Sequence, residues 1–120
     1  LYHYDPWQHE LEKLSTRTSE VEGLLKYCPT AAGLKELPPV SLHITARFQR
    51  VAWKYQSIAY SVILKDVGAL YQTLYLVATA MDLAPTAIGS GPAKLLSRMA
   101  GLNYLEESAV GEFILGNKRI

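Results

Sequence analysis

The sequence predicts an α+β domain in which a sheet is covered by helices. One segment alternates apolar and polar residues, as strands do, and a longer one repeats its apolar residues at spacings of three and four, as helices do. Hydrophobic residues make up 49% of the chain and charged residues 19%, which is ordinary for a globular protein and excludes a disordered one. A length of 120 residues fits one domain, so residues 1–120 are predicted to form a single unit.

The first predicted element is a β-hairpin over residues 1–15, where apolar and aromatic residues flank a turn containing Pro6. Its second arm is ambiguous, because Leu11 and Leu14 at a spacing of three also suit a helix. Both alternatives stay open at the level of the sequence.

A short helix follows the hairpin. Thr18 or Ser19 can cap its first turn, where Glu20 is favourable, and the apolar residues continue to Tyr27. Residues 28–39 are rich in Pro, Gly and Ala and are predicted to be a connector.

The two strongest elements lie in the middle of the chain. Residues 40–48 alternate as a strand does, with one face formed by Val40, Leu42, Ile44 and Ala46. A long helix is predicted from Tyr60 to Met81, and the charged and glycine residues 65–68 leave a break in it open. This helix is apolar on all sides, which is typical of a buried helix. A 120-residue chain can hardly surround it, so a partner subunit or a further segment is expected to cover part of it.

Three shorter elements complete the predicted order. Residues 86–91 form a short strand that ends in a glycine turn, and residues 92–101 form a helix with Pro92 in its first turn and Gly101 at its stop. A last strand is predicted over residues 111–116.

Composition narrows the possible partners and setting. The formal charge of +1, without a basic block or acidic tail, gives no indication of nucleic acid or a membrane surface. The uncharged stretch 67–81 is shorter than the ~20 apolar residues that span a bilayer. Cys28 is alone, which excludes an intrachain disulfide and favours a reduced, cytoplasmic setting. The histidines are scattered, and no metal site is predicted. The chain does not begin with Met and has no targeting segment at its start.

The first candidate site is Lys54, which lies between Trp53 and Tyr55 and follows Arg47 and Arg50. A lysine that is desolvated by aromatic neighbours has a lowered pKa, which makes its amine a usable base. A tyrosine hydroxyl can donate or relay a proton. The alternative is a lysine whose stem packs past aromatic residues while its ammonium reaches solvent. Adjacent residues do not share a face of a helix or strand, so the backbone must turn if both residues act on one substrate.

Two further candidates involve binding. Gly89, Ser90 and Gly91 directly precede a predicted helix, and backbone N–H groups at such a turn suit an anionic or carbonyl-like acceptor. The alternative is a simple strand-to-helix turn. Lys118 and Arg119 are paired cations that can neutralise a phosphate, although a solvated tail is the more common role of such a pair.

The order and spacing of these signals resemble one known family. The opening LYHYDPWQHELEKL is similar to the hairpin of SagB-type dehydrogenases, and residues 46–91 resemble their central signature. In that signature an arginine precedes a W-K-Y triplet, and a long apolar helix leads to an I-G strand end. The most specific part runs from Arg50 to Tyr60 and is followed at the matching distance by Asp66 and Gly68.

This resemblance implies a nitroreductase-like α+β fold with a central, mainly antiparallel sheet flanked by helices. It also implies bound FMN at the interface of a homodimer and oxidation of thiazoline or oxazoline rings in a peptide to thiazoles or oxazoles. Lys54 and Tyr55 would be the catalytic pair. The flavin would contact Gly89, Ser90 and Gly91, and its phosphate Lys118 or Arg119. A cyclodehydratase complex is an implied partner.

The chain departs from the family at several positions. Ser61 stands where the family often has Arg, Leu70 replaces a common His, Thr73 replaces a common Asn, and residues 82–85 replace a G-L-G-A turn. The family's N-terminal, phosphate-binding part has no counterpart, so the chain is expected to be the C-terminal portion of an incomplete domain. Two alternatives remain: another nitroreductase-type flavin oxidoreductase, such as an oxidase domain of a nonribosomal peptide assembly line, or a flavin-free scaffold that binds a partner.

Overall fold

The computed structural model describes residues 1–118, which contain five strands and four helices. A 3-10 turn at Gln56–Ile58 joins the second and third helices. In chain order the elements are β1 (Tyr2–Asp5), β2 (Glu10–Lys13), α1 (Ser19–Ala31), β3 (Val40–Arg47), α2 (Gln49–Tyr55), α3 (Ala59–Ala80), β4 (Leu83–Ile88), α4 (Ala93–Met99) and β5 (Glu107–Asn117). The predicted α+β class is therefore confirmed.

The main sheet has three strands in the order β3-β5-β4, and β5 is antiparallel to both neighbours. It follows that β3 and β4 run in the same direction. Glu112 on β5 pairs with His43 of β3 on one side and with Ile88 of β4 on the other. The strands β1 and β2 form a separate antiparallel hairpin, so the ambiguous second arm is a strand.

Helix α3 packs on one face of this sheet. The ring of Phe113 on β5 is fully buried, with the rings of Tyr71 and Tyr75 centred 5.8 and 5.1 Å away. Both tyrosine hydroxyls also accept backbone hydrogen bonds of 2.8 Å, from the N–H of Glu112 and of Ala87 respectively. Helix and sheet are therefore held together by apolar packing and by polar contacts that satisfy buried backbone donors.

The opposite face of the sheet is covered by α1 and α4. Cys28 of α1 packs against Ile88 and Ile114 there, and all three are buried. Burial raises the pKa of the Cys28 thiol, opposed by a hydrogen bond from Ser41, so Cys28 behaves as a small apolar core residue.

Helix α1 is longer than predicted. Thr18 caps it, accepting a hydrogen bond from the N–H of Val21, and the helix continues through Pro29 to Ala31. It ends where Gly33 adopts a positive φ of 70° and the N–H of Leu34 donates to the carbonyl of Pro29. That bond pattern is a common helix stop, and the predicted connector therefore begins later than Cys28.

Helix α3 is continuous from Ala59 to Ala80, so the break considered at residues 65–68 is wrong. Its buried residues are Ala59, Ile63, Val67 and Ala78. Other apolar residues on it are open, including Leu76, which is 63% exposed, and Val77, which is 50% exposed. Residues 1–118 therefore cover only part of this apolar helix.

Candidate active site

Two of the predicted site segments follow strands that run in the same direction in the main sheet. The segment containing Lys54 and Tyr55 follows β3, and the segment containing Gly89 and Gly91 follows β4. Because β3 and β4 run in the same direction, their carboxyl ends face the same way. The two segments therefore leave the sheet in the same direction, although β3 ends opposite Glu107 and β4 ends opposite Glu112, five residues apart on β5.

Lys54 and Tyr55 occupy the last turn of α2, a helix that the sequence did not predict. The Nζ atom of Lys54 lies 5.4 Å from the centroid of the Tyr55 ring, within the range of a cation–π contact. The helix ends at Tyr55, and the next residue, Gln56, has a φ of 47° and a ψ of −121°. The backbone therefore turns directly after the pair and not between its two members.

The aromatic cover predicted for Lys54 is not supplied by the described residues. Trp53 is 76% exposed, and Lys54 itself is exposed. Desolvation of the amine therefore needs a surface outside residues 1–118, from a second copy or another segment, or from a bound substrate.

The backbone of Gln56 is strained, since a positive φ with this ψ is essentially a glycine conformation. Such strain costs of order 1–3 kcal/mol per residue and is found at functional sites. We expect Gln56→Gly to raise the melting temperature, because glycine adopts this conformation without the penalty. Thermal unfolding followed by circular dichroism measures the change, with Gln49→Gly in the neighbouring helix α2 as a control that should be destabilising. A melting temperature lowered to the same extent by both would show that Gln56 is unstrained.

In the turn after β4, Gly89 has free space where a side chain would lie, whereas Gly91 does not. Gly89 and Ser90 are exposed, and a Cβ at Gly89 would meet nothing within 4 Å. At Gly91, in contrast, a Cβ would overlap the carboxyl group of Glu112. The helix that follows, α4, has only seven residues and no side-chain cap. The open backbone at Gly89 and Ser90, and not a strong helix end, is therefore the feature that suits a ligand.

Glu112 is a residue that the sequence reasoning missed. It is a charged side chain on the central strand, yet it is only 4% exposed, and burial raises its pKa above the ordinary value. Its one local signal is that it is the only charged residue in the apolar run 109–115. Its contact with the turn at Gly91 depends on strand order and could not be read from the sequence.

Lys118 lies at the opposite end of the sheet from the glycine turn. Its Nζ atom is 2.6 Å from Oδ1 of Asp82, directly before β4 begins. Ile88 pairs with Glu112, whereas Leu83 pairs with Asn117, five residues further along β5 and therefore about 17 Å away. The structure does not bring Lys118 beside Gly89, and Arg119 lies outside the described residues.

An open cleft of about 770 Å³ runs between the N-terminal hairpin, β3 and α3. Apolar residues such as Trp7, Ile44 and Leu70 line it, and Arg47 and Arg50 from β3 and α2 contribute charge. This size and lining are typical of ligand sites.

A polar network of Thr45, Arg47 and Glu107 borders this cleft. Oε2 of Glu107 lies 2.7 Å from Nε of Arg47, and its Oε1 accepts a hydrogen bond of 2.7 Å from the Thr45 hydroxyl. Burial alone would raise the pKa of Glu107, but these hydrogen bonds and the Arg47 charge outweigh burial and hold the pKa below the ordinary value. The network therefore fixes an ionised carboxylate beside Arg47 at the cleft.

Residues 1–118 contain neither a membrane-spanning helix nor a group of side chains suited to a metal ion. No helix there is long and apolar enough to cross a bilayer. No group of three or more His, Cys, Asp or Glu side chains is arranged to hold a metal ion.

Solved structures of three proteins share this fold. A chain of the Escherichia coli microcin synthetase McbBCD complex, which holds a truncated pro-MccB17, has a TM-score of 0.83 and 20% identity over 99% of this chain. A nitroreductase-like protein from Anabaena variabilis has a TM-score of 0.76 and 27% identity over 95% of the chain. A similar protein from Ralstonia eutropha has a TM-score of 0.74 and 19% identity over 99%.

The chain accounts for only part of each of these proteins, namely 44%, 23% and 53% of their lengths in the same order. A comparison with curated protein sequences gives no match. Residues 4–117 match the nitroreductase family, a span that includes all the described strands and helices except the first two residues of β1. This chain therefore belongs to the nitroreductase family.

Proposed function

We propose that this chain is the C-terminal portion of an FMN-dependent dehydrogenase that oxidises thiazoline or oxazoline rings in a peptide. The observation that carries the proposal is that two site segments leave the main sheet in the same direction. A lysine and a tyrosine at the end of α2 follow β3, and an open glycine turn follows β4. A base and a ring-binding backbone are the two parts that a flavin dehydrogenase requires from its protein.

The family supports the flavin chemistry of this proposal, and the solved structures support its fold. Nitroreductase family members are generally flavin-dependent oxidoreductases and typically bind FMN. The microcin synthetase complex holds a peptide precursor, and at 20% identity it supports the fold alone. The azoline specificity rests on the residue pattern from Arg50 to Tyr60, which the fold by itself would not require.

The described residues fit one part of FMN. The exposed backbone of Gly89 and Ser90, with open space where a Cβ would lie, suits the polar edge of the flavin ring. The phosphate needs several charge-assisted donors. Lys118 is paired with Asp82 instead, so we propose that donors outside residues 1–118 hold the phosphate.

In the proposed reaction, Lys54 takes the acidic proton of the azoline ring through its neutral amine. The Tyr55 hydroxyl orients or relays that proton. FMN, when bound, would supply the acceptor for the hydride that leaves the adjacent carbon. One proton and one hydride thus leave the ring and a double bond forms. The residues of this chain would provide the base and the geometry.

We further propose that a second copy covers the exposed apolar part of α3, including Leu76 and Val77. Obligate dimer interfaces resemble a domain core cut in half, and an uncovered apolar helix of 22 residues needs such a surface. Size-exclusion chromatography with light scattering is expected to show the full-length protein as a dimer at micromolar concentration. A stable monomer would mean that other segments of the same protein cover the helix.

Flavin binding should differ between this chain and the full-length protein. We expect the full-length protein to copurify with FMN and the isolated 120-residue chain to bind it weakly or not at all, because we propose that key phosphate donors lie outside this chain. Visible absorbance at the flavin bands measures both. Stoichiometric FMN in the isolated chain would show that the contacts are complete. A colourless full-length protein would instead favour a flavin-free scaffold.

Mass spectrometry tests the substrate directly. An azoline-containing peptide incubated with the full-length protein is expected to lose the mass of two hydrogens per ring. If the flavin-loaded protein leaves the azoline intact, the chain would instead belong to another nitroreductase-type oxidoreductase.

A further inference from the structure

The carboxyl group of Glu112 lies directly against the glycine turn. Glu112 is in the middle of β5 and shares the sheet face that Ile88, Ile114 and Cys28 bury. Its side chain reaches the position that a Cβ of residue 91 would occupy, so only glycine fits there without a shift. The carboxyl group thus packs under the turn from the protein interior, while Gly89 faces solvent.

No cation compensates this carboxyl group within residues 1–118. None of the described hydrogen bonds or ion pairs reaches its oxygens, although 96% of the residue is buried. Within residues 1–118 the enclosed side-chain atoms that lack a partner are Nδ1 of His43 and Oγ of Ser97, so the carboxyl oxygens of Glu112 keep some contact with solvent.

The groups that face Glu112 from the neighbouring elements are uncharged at neutral pH. Cys28 on α1 and Tyr71 on α3 have pKa values raised by burial, and His43, opposite Glu112 on β3, has a pKa lowered by burial. Strand β4 has no titratable residue, and the α4 cations are directed elsewhere: Arg98 pairs with Glu20, and Lys94 lies over the Tyr104 ring. Burial without a counter-ion favours the protonated carboxyl group.

We propose that Glu112 is a positioning residue whose neutral carboxyl group supports the Gly89–Gly91 turn and whose ionisation disturbs it. Loss of the proton places an uncompensated negative charge directly beneath Gly91. A charge there raises the free energy of the buried carboxyl group. It also repels any electron-rich group on the outer side of the turn. The effect on the turn depends on the fold alone, whereas an effect on bound flavin rests on the function proposed above.

The sign of the pH dependence follows from burial. Since the pKa of Glu112 is raised in the folded protein, the folded state holds a proton that the unfolded state has lost over the interval above 4.5, the ordinary glutamate value. Its contribution to stability is complete below that value and is lost as the pH rises through the folded pKa. Glu112→Gln keeps the shape but cannot ionise, so it should remove this loss.

The test uses the full-length protein labelled with ¹⁵N-glycine. In the wild type we expect the Gly91 amide resonance to shift with pH, with a midpoint above 4.5. In Glu112→Gln the same resonance should not respond. Glu106→Gln, which removes an exposed carboxylate directly before β5, is the control and should leave the Gly91 titration unchanged. No titration in the wild type, or a titration that survives in Glu112→Gln, would overturn the proposal.

Two further readouts separate this inference from the proposed function. The melting temperatures of the wild type and Glu112→Gln should be similar at acid pH, and that of Glu112→Gln should become the higher one as the pH rises. Glu112→Met should behave in the same way and replaces Glu112→Gln if that variant folds poorly. The reduction potential of bound flavin should depend less on pH in Glu112→Gln than in the wild type, a difference that a purely structural role would not produce. If the protein binds no flavin, the proposed function fails, while the resonance and melting measurements still decide the role of Glu112.

Discussion

Lys54→Ala is expected to lower azoline turnover by about 10²–10⁴-fold while the fold and the bound flavin are retained. A free lysine has a pKa of about 10.4 and is a poor base at neutral pH. The reaction therefore depends on desolvation of this amine by substrate or by a covering surface, because Lys54 is exposed within the described residues. Turnover of an azoline peptide by the full-length protein, with flavin occupancy measured in parallel, gives the result.

Three companion variants make this experiment specific. Lys54→Arg should not restore activity, because a guanidinium does not give up its proton. Tyr55→Phe should show a smaller loss if the hydroxyl only orients or relays. Lys26→Ala removes another exposed lysine, on α1, and should leave turnover unchanged. Near-normal turnover in Lys54→Ala would exclude Lys54 as the base, and loss of activity through loss of flavin would make its role structural.

Gly111→Ala is expected to destabilise the fold by about 1–3 kcal/mol, the usual cost of overpacking a core. A Cβ at this position on β5 would lie 2.8 Å from Cγ1 of Val67 and would also crowd the Tyr71 hydroxyl, both on α3. The clash falls where helix and sheet are held together by the Tyr71 hydrogen bond to the N–H of Glu112. Urea unfolding of the full-length protein measures the change.

Gly116→Ala on the same strand is the matched control. The nearest atom to its Cβ would be the carbonyl oxygen of Ala84 at 3.8 Å, an ordinary contact. We expect its unfolding free energy to stay within about 0.5 kcal/mol of the wild type. Equal stability of both variants would mean that α3 does not press on β5 at Gly111.

Features set by neighbouring residues could be predicted from the sequence. The alternation in residues 40–48 gave strand β3, and the three-and-four spacing gave α3, because each pattern records one local period. Thr18 was one of two predicted caps, since its side chain reaches an N–H only three residues away. The candidate pair Lys54 and Tyr55 and the turn at Gly89 were likewise found from short motifs, and their roles stay predictions.

The remaining features depend on residues that are distant in sequence. The order β3-β5-β4 puts the last strand in the centre, and no local period encodes that order. It carries Glu112 to Gly91, and it moves Lys118 to the end of the sheet where Asp82 neutralises it. Short-range periodicity thus determined which segments are strands and helices, whereas strand pairing across the chain decided which side chains meet, because burial and charge compensation are properties of the assembled sheet.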